Sequence, residues 1–441
     1  MRSWLFAVLM GICGATLCSA VTAQTLSRAE ILDKAQERIE QHRKADATLI
    51  LVDADGAPIK EGTEVVIEQQ RHRFLFGCNL FMFDRCRSAQ DNALYLERFK
   101  ELFNFATLGF YWNAYEPRQD NTAAQHRRRS AEWCRKNEII PKGHPLVWTL
   151  EPGWVHALPT GQAEERLWFR IQREMNDFQG LIEVWDVLNE PCVGIRQGTE
   201  RNAKTAVRLY ETLGTTGIIK KAFIAAEAAN PKAMLILNDY DVSPAYEKVI
   251  EDCLADGVRI DVIGVQSHMH GGVWEPEKLW DVCERFGRFN KPVHFTEATI
   301  VSGPGQEENW QKTSPALEKD QERDAVMFYT VLFSHPAVEA ITWWDFSDQG
   351  AWQQAPAGLI GEDMTPKPAY AALKKLIKED WWTRTTATVG PQGRVRFRGF
   401  LGDYGIRIKD DGSGRIAAFS LEPKAALDGR VILQKTSVTD N

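Results

Sequence analysis

The chain has 441 residues, 44% of them hydrophobic, which is enough for one large domain with appendages or for two domains. A formal charge of −7 without long basic blocks argues against a nucleic-acid partner. Beyond residue 23 no apolar run is long enough to cross a bilayer, so no membrane partner is expected either.

Residues 1–23 have the pattern of a secretory leader. Arg2 is the basic start, residues 5–17 are an apolar stretch too short to span a membrane, and Val21-Thr22-Ala23 fits a small-x-small cleavage site, with Cys18-Ser19-Ala20 as the alternative. Cys13 and Cys18 follow Ile12 and Leu17 rather than small residues, so no lipid anchor is read. Loss of Arg2 with the leader takes the charge from −7 to −8. The protein is expected to be secreted or periplasmic, where disulfides are possible. Cys78, Cys86, Cys134, Cys192, Cys253 and Cys283 remain, and the sequence does not choose among their pairings. No Cys-x-x-Cys or His-Glu-x-x-His occurs, and His268-Met269-His270 is not metal-ligand spacing, so no metal or cofactor is expected.

Ser27-x-x-Glu30 is a capping box that opens an exposed amphipathic helix from Ile31 to about Arg43. Two strand-like runs follow, 49–52 and 65–67, around the turn Asp53-Ala54-Asp55-Gly56. Residues 24–72 are thus read as an N-terminal helix and β-ribbon. From 73 to 379 short apolar strands alternate with helices. Strands are expected at 74–79, 104–108, 139–144, 184–188, 234–238, 262–265, 293–296 and 340–344. Helices are expected at 92–103, 123–136, 163–178, 206–229, 245–255, 276–286, 320–334 and 368–377. Eight strand–helix units over roughly 300 residues are the rhythm of a (β/α)8 TIM barrel. A doubly wound open sheet would need a glycine-rich phosphate turn after its first strand, and Gly77-Cys78-Asn79-Leu80 is not one. Residues 380–441 lose the helical period and read as a small antiparallel β appendage, with turns at 390–391, 402–403 and 410–412 and a frayed tail from 436.

The predicted strand ends carry the chemistry. Ile182, Val184, Val187 and Leu188 make a buried strand that stops at Asn189-Glu190-Pro191, because Pro191 has no amide to donate to a ladder. Glu190 therefore sits at the barrel edge where catalysis is found, or else caps the next helix or forms an ion pair. VHFTEATI is a second such strand and carries Glu297. Two carboxylates at two strand ends suggest an acid and a nucleophile facing across a cleft. His144 and Trp148 follow the third strand, Tyr240 the fifth, Gln266 and His268 the sixth, and Trp344 and Trp352 the eighth. Among fifteen tryptophans, several fall at such ends, either as packing or as walls against which sugar rings stack.

These stretches resemble glycoside hydrolase family 10, the retaining endo-β-1,4-xylanases with a (β/α)8 fold. The matching runs are GHPLVW, WDVLNEP, LNDYD, GVQSHMH, HFTEATI, ITWWDFSDQGAW and AGLIGEDMTPKPAY, within residues 74–376. The resemblance implies that Glu190 is the general acid/base and Glu297 the nucleophile, with His268 hydrogen bonded to Glu297. It implies that Asn189 binds the sugar 2-hydroxyl, that His144 touches the sugar, and that Trp344 and Trp352 wall the cleavage point. Gln266, Trp148, Tyr111 and Tyr240 complete the expected substrate contacts. Four positions depart from the family pattern. Leu108 and Tyr111 stand where an asparagine and a lysine grip the distal sugar, Thr149 replaces a histidine after Trp148, and Thr299 replaces an aspartate two residues after the nucleophile. The expected protein is a monomeric, secreted, retaining endo-hydrolase of β-1,4-linked xylan or a related plant-type β-glycan. The alternatives are a hydrolase of another polysaccharide and a catalytically weak carbohydrate-binding protein.

Overall fold

The computed structural model describes residues 26–192, 203–303, 313–409, 415–423 and 427–435. The leader, the turn at 410–412 and the tail from 436 lie outside the described residues. In chain order the strands are Lys44–Val52 (β1), Glu64–His72 (β2), Leu75–Asn79 (β3), Phe105–Gly109 (β4), Ile140–His144 (β5), Val184–Asn189 (β6), Met234–Asp239 (β7), Val262–Val265 (β8), His268–Met269 (β9), Val293–Ile300 (β10), Val338–Trp343 (β11), Arg384–Thr388 (β12), Arg394–Phe400 (β13), Gly402–Ile408 (β14), Arg415–Leu421 (β15), Leu427–Ile432 (β16) and Gln434–Lys435 (β17).

Eight of these close a parallel barrel in the order β3, β4, β5, β6, β7, β8, β10, β11, with β11 returning to pair with β3. Both faces of each barrel strand are covered, so the strands are apolar runs rather than alternating ones: every residue of β6 and of β10 is buried. Strand packing is tight. A methyl group on Gly143 of β5 would stand 2.2 Å from the ring of Trp185 on β6, so only glycine leaves room for that indole. Inside the barrel Lys142 and Asp186 form an ion pair at 2.7 Å, both side chains wholly removed from solvent. β9 is a two-residue extension that pairs His268 with Thr299 at the end of β10.

The helices fall between the strands as expected, with the longest, Lys204–Ala229, bent at Gly214 (φ 70°, ψ 172°). Two short helices, Trp112–Tyr115 and Gly153–His156, lie outside the expected helical stretches. Cys78, Cys86, Cys134, Cys253 and Cys283 are free thiols, so no disulfide framework links them.

The ends of the chain differ from the expectation. Ser27 does cap its helix, accepting the Glu30 amide while the Glu30 carboxylate accepts the Ser27 amide. That helix runs over Arg28–Asp33, breaks at Lys34 and resumes over Ala35–Arg43. It is not an exposed helix. Ile31, Ala35, Ile39 and Arg43 recur every four residues and form a buried stripe against the helices of the barrel. Arg43 ends the stripe by donating to the carbonyls of Phe333, His335 and Val338.

β1 and β2 do not pair with each other as a ribbon would. β1 lies between β13 and β16, and β2 lies between β12 and β14 in a second sheet that β15 and β17 extend. The two sheets enclose their own apolar core, which includes Leu49, Leu51, Val65, Ile67, Val395, Tyr404 and Ile406. The C-terminal strands are antiparallel to their neighbours as expected, apart from β16, which runs parallel to β1.

Candidate active site

Where β6 ends, the backbone turns sharply. Glu190 has φ 58°, a left-handed conformation that costs a non-glycine residue of order 1 kcal/mol. The Glu190 amide is held by the Asn238 carbonyl at 2.8 Å, which fixes the turn to the neighbouring strand β7. Ser267, directly before His268, has the same left-handed geometry (φ 57°).

Glu190 is half-buried and its two carboxyl oxygens have separate partners. Oε2 accepts from the indole of Trp148 at 2.9 Å, and Oε1 accepts from Gln266 at 3.1 Å and Asn189 at 3.2 Å. Burial pushes the Glu190 pKa up, and the charge of Glu297 adds to that push. The Trp148 and Gln266 donors pull the other way without reversing it.

Glu297 is treated oppositely. It is only 3% exposed, and burial alone would raise its pKa. His144, His268 and Lys142 outweigh burial, so its pKa falls below the usual carboxylate range. Oε1 accepts from Asn238 at 2.8 Å and Oε2 faces His268 Nε2 at 3.2 Å. Asn238 also donates to Asn189 Oδ1 at 2.8 Å, so one amide ties the two strand ends together. His144 is oriented from behind. Its Nδ1 lies 2.7 Å from Asp186 Oδ2, the oxygen that also accepts from Lys142, and its Nε2 lies 3.1 Å from the Tyr111 hydroxyl.

Glu190, Glu297 and the nine expected substrate contacts all line one cleft of about 730 Å³ at the C-terminal ends of the barrel strands. Its walls are aromatic. Trp344 is buried and meets His144 and His268 edge-on, at 5.4 and 5.7 Å between centroids. Trp352 and Tyr240 are exposed at the rim, and Trp352 packs 4.8 Å from His268. A cleft of this size with a few converging polar groups is suited to a small chain of sugars. Glu190 and Glu297, one pushed up and one pulled down, are the pattern of an acid paired with a nucleophile.

Residues 79–376 match the sequence model of Glycosyl hydrolase family 10. The chain belongs to that family. It is 30% identical over 313 residues to endo-1,4-beta-xylanase B of Thermotoga neapolitana, covering 66% of this chain and 86% of that one. It is 27% identical over 396 residues to the anti-sigma-I factor RsgI6 of Acetivibrio thermocellus, where the match takes in 87% of this chain but 47% of the relative. The chain thus spans about half the length of that protein. Among solved structures, xylanase 10B of Thermotoga petrophila RKU-1 in complex with xylobiose superposes with a TM-score of 0.59 at 25% identity, over 70% of this chain and 95% of that one.

Family 10 membership makes the chain a glycoside hydrolase of endo-1,4-beta-xylanase type. Two of the departures from the family pattern have structural consequences that residue type alone did not show. Leu108 does not face the cleft: it is 1% exposed within the main hydrophobic core, so it offers a sugar no apolar surface. Tyr111 does face it, with its ring 5.4 Å from Trp148 and 5.9 Å from Phe81. Trp343, paired with Trp344 in the sequence, is core, its indole bound to the Ala357 carbonyl at 2.9 Å.

Sequence reasoning passed over Asn238 as a site residue, although it stands at a strand end inside the LNDYD run. It also missed the cleft residues Phe81, Trp274 and Asp345. Asp345 accepts the Trp352 amide at 3.1 Å, and burial pushes its pKa up to about 6. The signal available for it was its place directly after the eighth strand, next to Trp344.

Proposed function

We propose that this protein cleaves internal bonds of β-1,4-linked xylan or a related plant-type β-glycan by double displacement with retention, outside the cytoplasm. The observation that carries the reading is the opposite treatment of Glu190 and Glu297 at the two strand ends of one cleft. Glu190, holding its proton, protonates the departing glycosidic oxygen. Glu297, ionised and held by Asn238 and His268, attacks the anomeric carbon and forms a covalent glycosyl ester. Glu190, now a base, takes a proton from water, whose oxygen attacks the anomeric carbon, breaks the ester bond to Glu297 and frees the sugar. Asn189, anchored between Asn238 and Gln266, binds the 2-hydroxyl, where hydrogen bonding strengthens in the transition state.

A second reading, a different polysaccharide on the same scaffold, is favoured by Tyr111. Its hydroxyl occupies the cleft-facing nitrogen of His144, and its ring supplies stacking where a lysine would supply a point charge. Stacking discriminates hydroxyl patterns less than a dedicated hydrogen bond does. Activity on unsubstituted linear xylo-oligosaccharides is therefore expected to be weak beside that on decorated or differently hydroxylated β-glycans. The likeness to a relative named as an anti-sigma-I factor gives a binding role some weight, and turnover separates the two.

The test is a 2-deoxy-2-fluoro glycoside of a xylo-oligosaccharide with a good leaving group. A stoichiometric mass increase on the peptide containing Glu297, and a β-configured first product by NMR, support retention. An α-configured first product refutes it. No sugar released from any β-glycan in a panel refutes hydrolysis altogether. A preference for linear xylo-oligosaccharides by roughly a hundredfold in kcat/KM, about 3 kcal/mol, removes the second reading.

A further inference from the structure

His268 is gripped from both sides. Nε2 lies 3.2 Å from Glu297 Oε2 and Nδ1 lies 3.0 Å from Thr299 Oγ1. The grip is built into the sheet, because β9 pairs His268 directly with Thr299, and Thr299 and Glu297 are two residues apart on β10. Trp344 and Trp352 confine the ring from the cleft side. Thr299 is fully buried, so no solvent competes for its hydroxyl.

Proton counting narrows the arrangement. An ionised carboxylate only accepts, so Nε2 must carry a proton for its contact with Glu297 to be a hydrogen bond. A neutral ring with its proton on Nε2 has a bare lone pair on Nδ1, which needs a donor. The Thr299 hydroxyl has one proton and two acceptors in reach, His268 Nδ1 at 3.0 Å and the Glu297 carbonyl at 3.4 Å. The shorter contact is the better hydrogen bond. A carboxylate at this position has no proton to give and would require a second proton on the ring.

We propose that Thr299 donates to His268 Nδ1 and so fixes a neutral ring that presents Nε2–H to Glu297. Thr299 is thereby a positioning residue for the nucleophile, acting through His268. The assignment rests on the reading of Glu297 as the nucleophile. Its chemical consequence is that the nucleophile is oriented without a full positive charge beside a sugar that itself becomes positive in the transition state.

Side-chain ¹⁵N NMR of the full-length, histidine-labelled protein at neutral pH tests this, with His268→Gln assigning the signal. The expected spectrum shows Nε2 protonated and Nδ1 unprotonated. Thr299→Val, which keeps the shape but has no hydroxyl, is expected to lose that signature and about tenfold in kcat on an aryl β-xyloside, with KM little changed. Thr299→Ser restores the spectrum and most of the rate, and Thr299→Asp gives a ring protonated on both nitrogens. The proposal is overturned if wild-type Nδ1 is protonated, or if Thr299→Val leaves the spectrum unchanged. It is overturned as well if Thr299→Ser fails together with Thr299→Val, since packing would then be the residue's role. The spectrum does not require turnover. A protein with the expected tautomer and no hydrolysis would refute the proposed function and leave this assignment standing.

Discussion

Gly264 gives access to the catalytic cleft from behind. It lies on β8 beside Asn238 of β7. A methyl group there would stand 2.3 Å from Asn238 Oδ1 and 3.1 Å from Asn238 Cα, about 1 Å inside ordinary contact at the oxygen. Asn238 has no free space, being fully buried, so its side chain must swing away. That breaks three hydrogen bonds: from Thr296 at 2.6 Å, to Asn189 at 2.8 Å and to Glu297 at 2.8 Å. Overpacking costs about 1–3 kcal/mol. Two neutral hydrogen bonds at about 1 kcal/mol each and one to a charged group at about 1.5–3 kcal/mol add to it. Gly264→Ala is therefore expected to destabilise the protein by about 4.5–8 kcal/mol. With Glu297, the proposed nucleophile, loosened, kcat/KM should fall about a hundredfold, the equivalent of the bond to Glu297 alone. Urea unfolding and steady-state rates measure both quantities. Asn238→Ala creates the room that the methyl needs, so adding Gly264→Ala to it should cost far less than Gly264→Ala costs alone. A Gly264→Ala protein with an unchanged urea midpoint and kcat/KM within about twofold of wild type would refute the account.

Further outcomes concern the acid. Glu190→Gln has no proton to give, so hydrolysis of xylo-oligosaccharides should fall about a hundredfold or more while a dinitrophenyl glycoside, whose leaving group departs unprotonated, loses little in its first step. Equal losses on both substrates would remove Glu190 from the acid role. Trp148→Phe deletes the indole donor that pulls the Glu190 pKa down against burial. The acid should then hold its proton to higher pH, and the basic limb of the kcat/KM profile should move up. A limb that stays or moves down would show that Trp148 does not act on Glu190.

What was legible in the sequence was whatever local pattern decides. The barrel strands are buried on both faces, so 184–188 and 293–296 stood out as continuous apolar runs, and Pro191 marked where a ladder had to end. Glu190 and Glu297 could be placed for that reason. Facing direction was harder. Leu108 and Tyr111 are three residues apart across the end of β4, and only the fold decides that one enters the core while the other enters the cleft. Strand pairing was not legible for β1 and β2. Their alternation shows that each has an apolar face, but the partners that cover it come from the far end of the chain. Asn238 was hidden by its chemistry, since an asparagine at a strand end can be structural or functional and only the two hydrogen bonds it donates, to Asn189 and to Glu297, show its part.

The interleaving of the first and last strands bears on how the protein is made and cut. β1 finds its neighbours in β13 and β16, and β2 in β12 and β14, so neither sheet can form while the C-terminal segment is still being synthesised. Until then β1 and β2 are carried without partners, and closing a loop of this length costs only logarithmically more than closing a short one. A protein trimmed to the family boundary at residue 376 would keep every residue of the cleft and still leave both strands with open edges. Such edges are templates for pairing with other chains. Trimming is therefore expected to yield a protein prone to self-association, read by light scattering, and less stable to urea, because Ile377, Trp381 and Phe400 belong to the core of the barrel; removing residues 44–72 together with the C-terminal segment is the cut that leaves no open sheet edge.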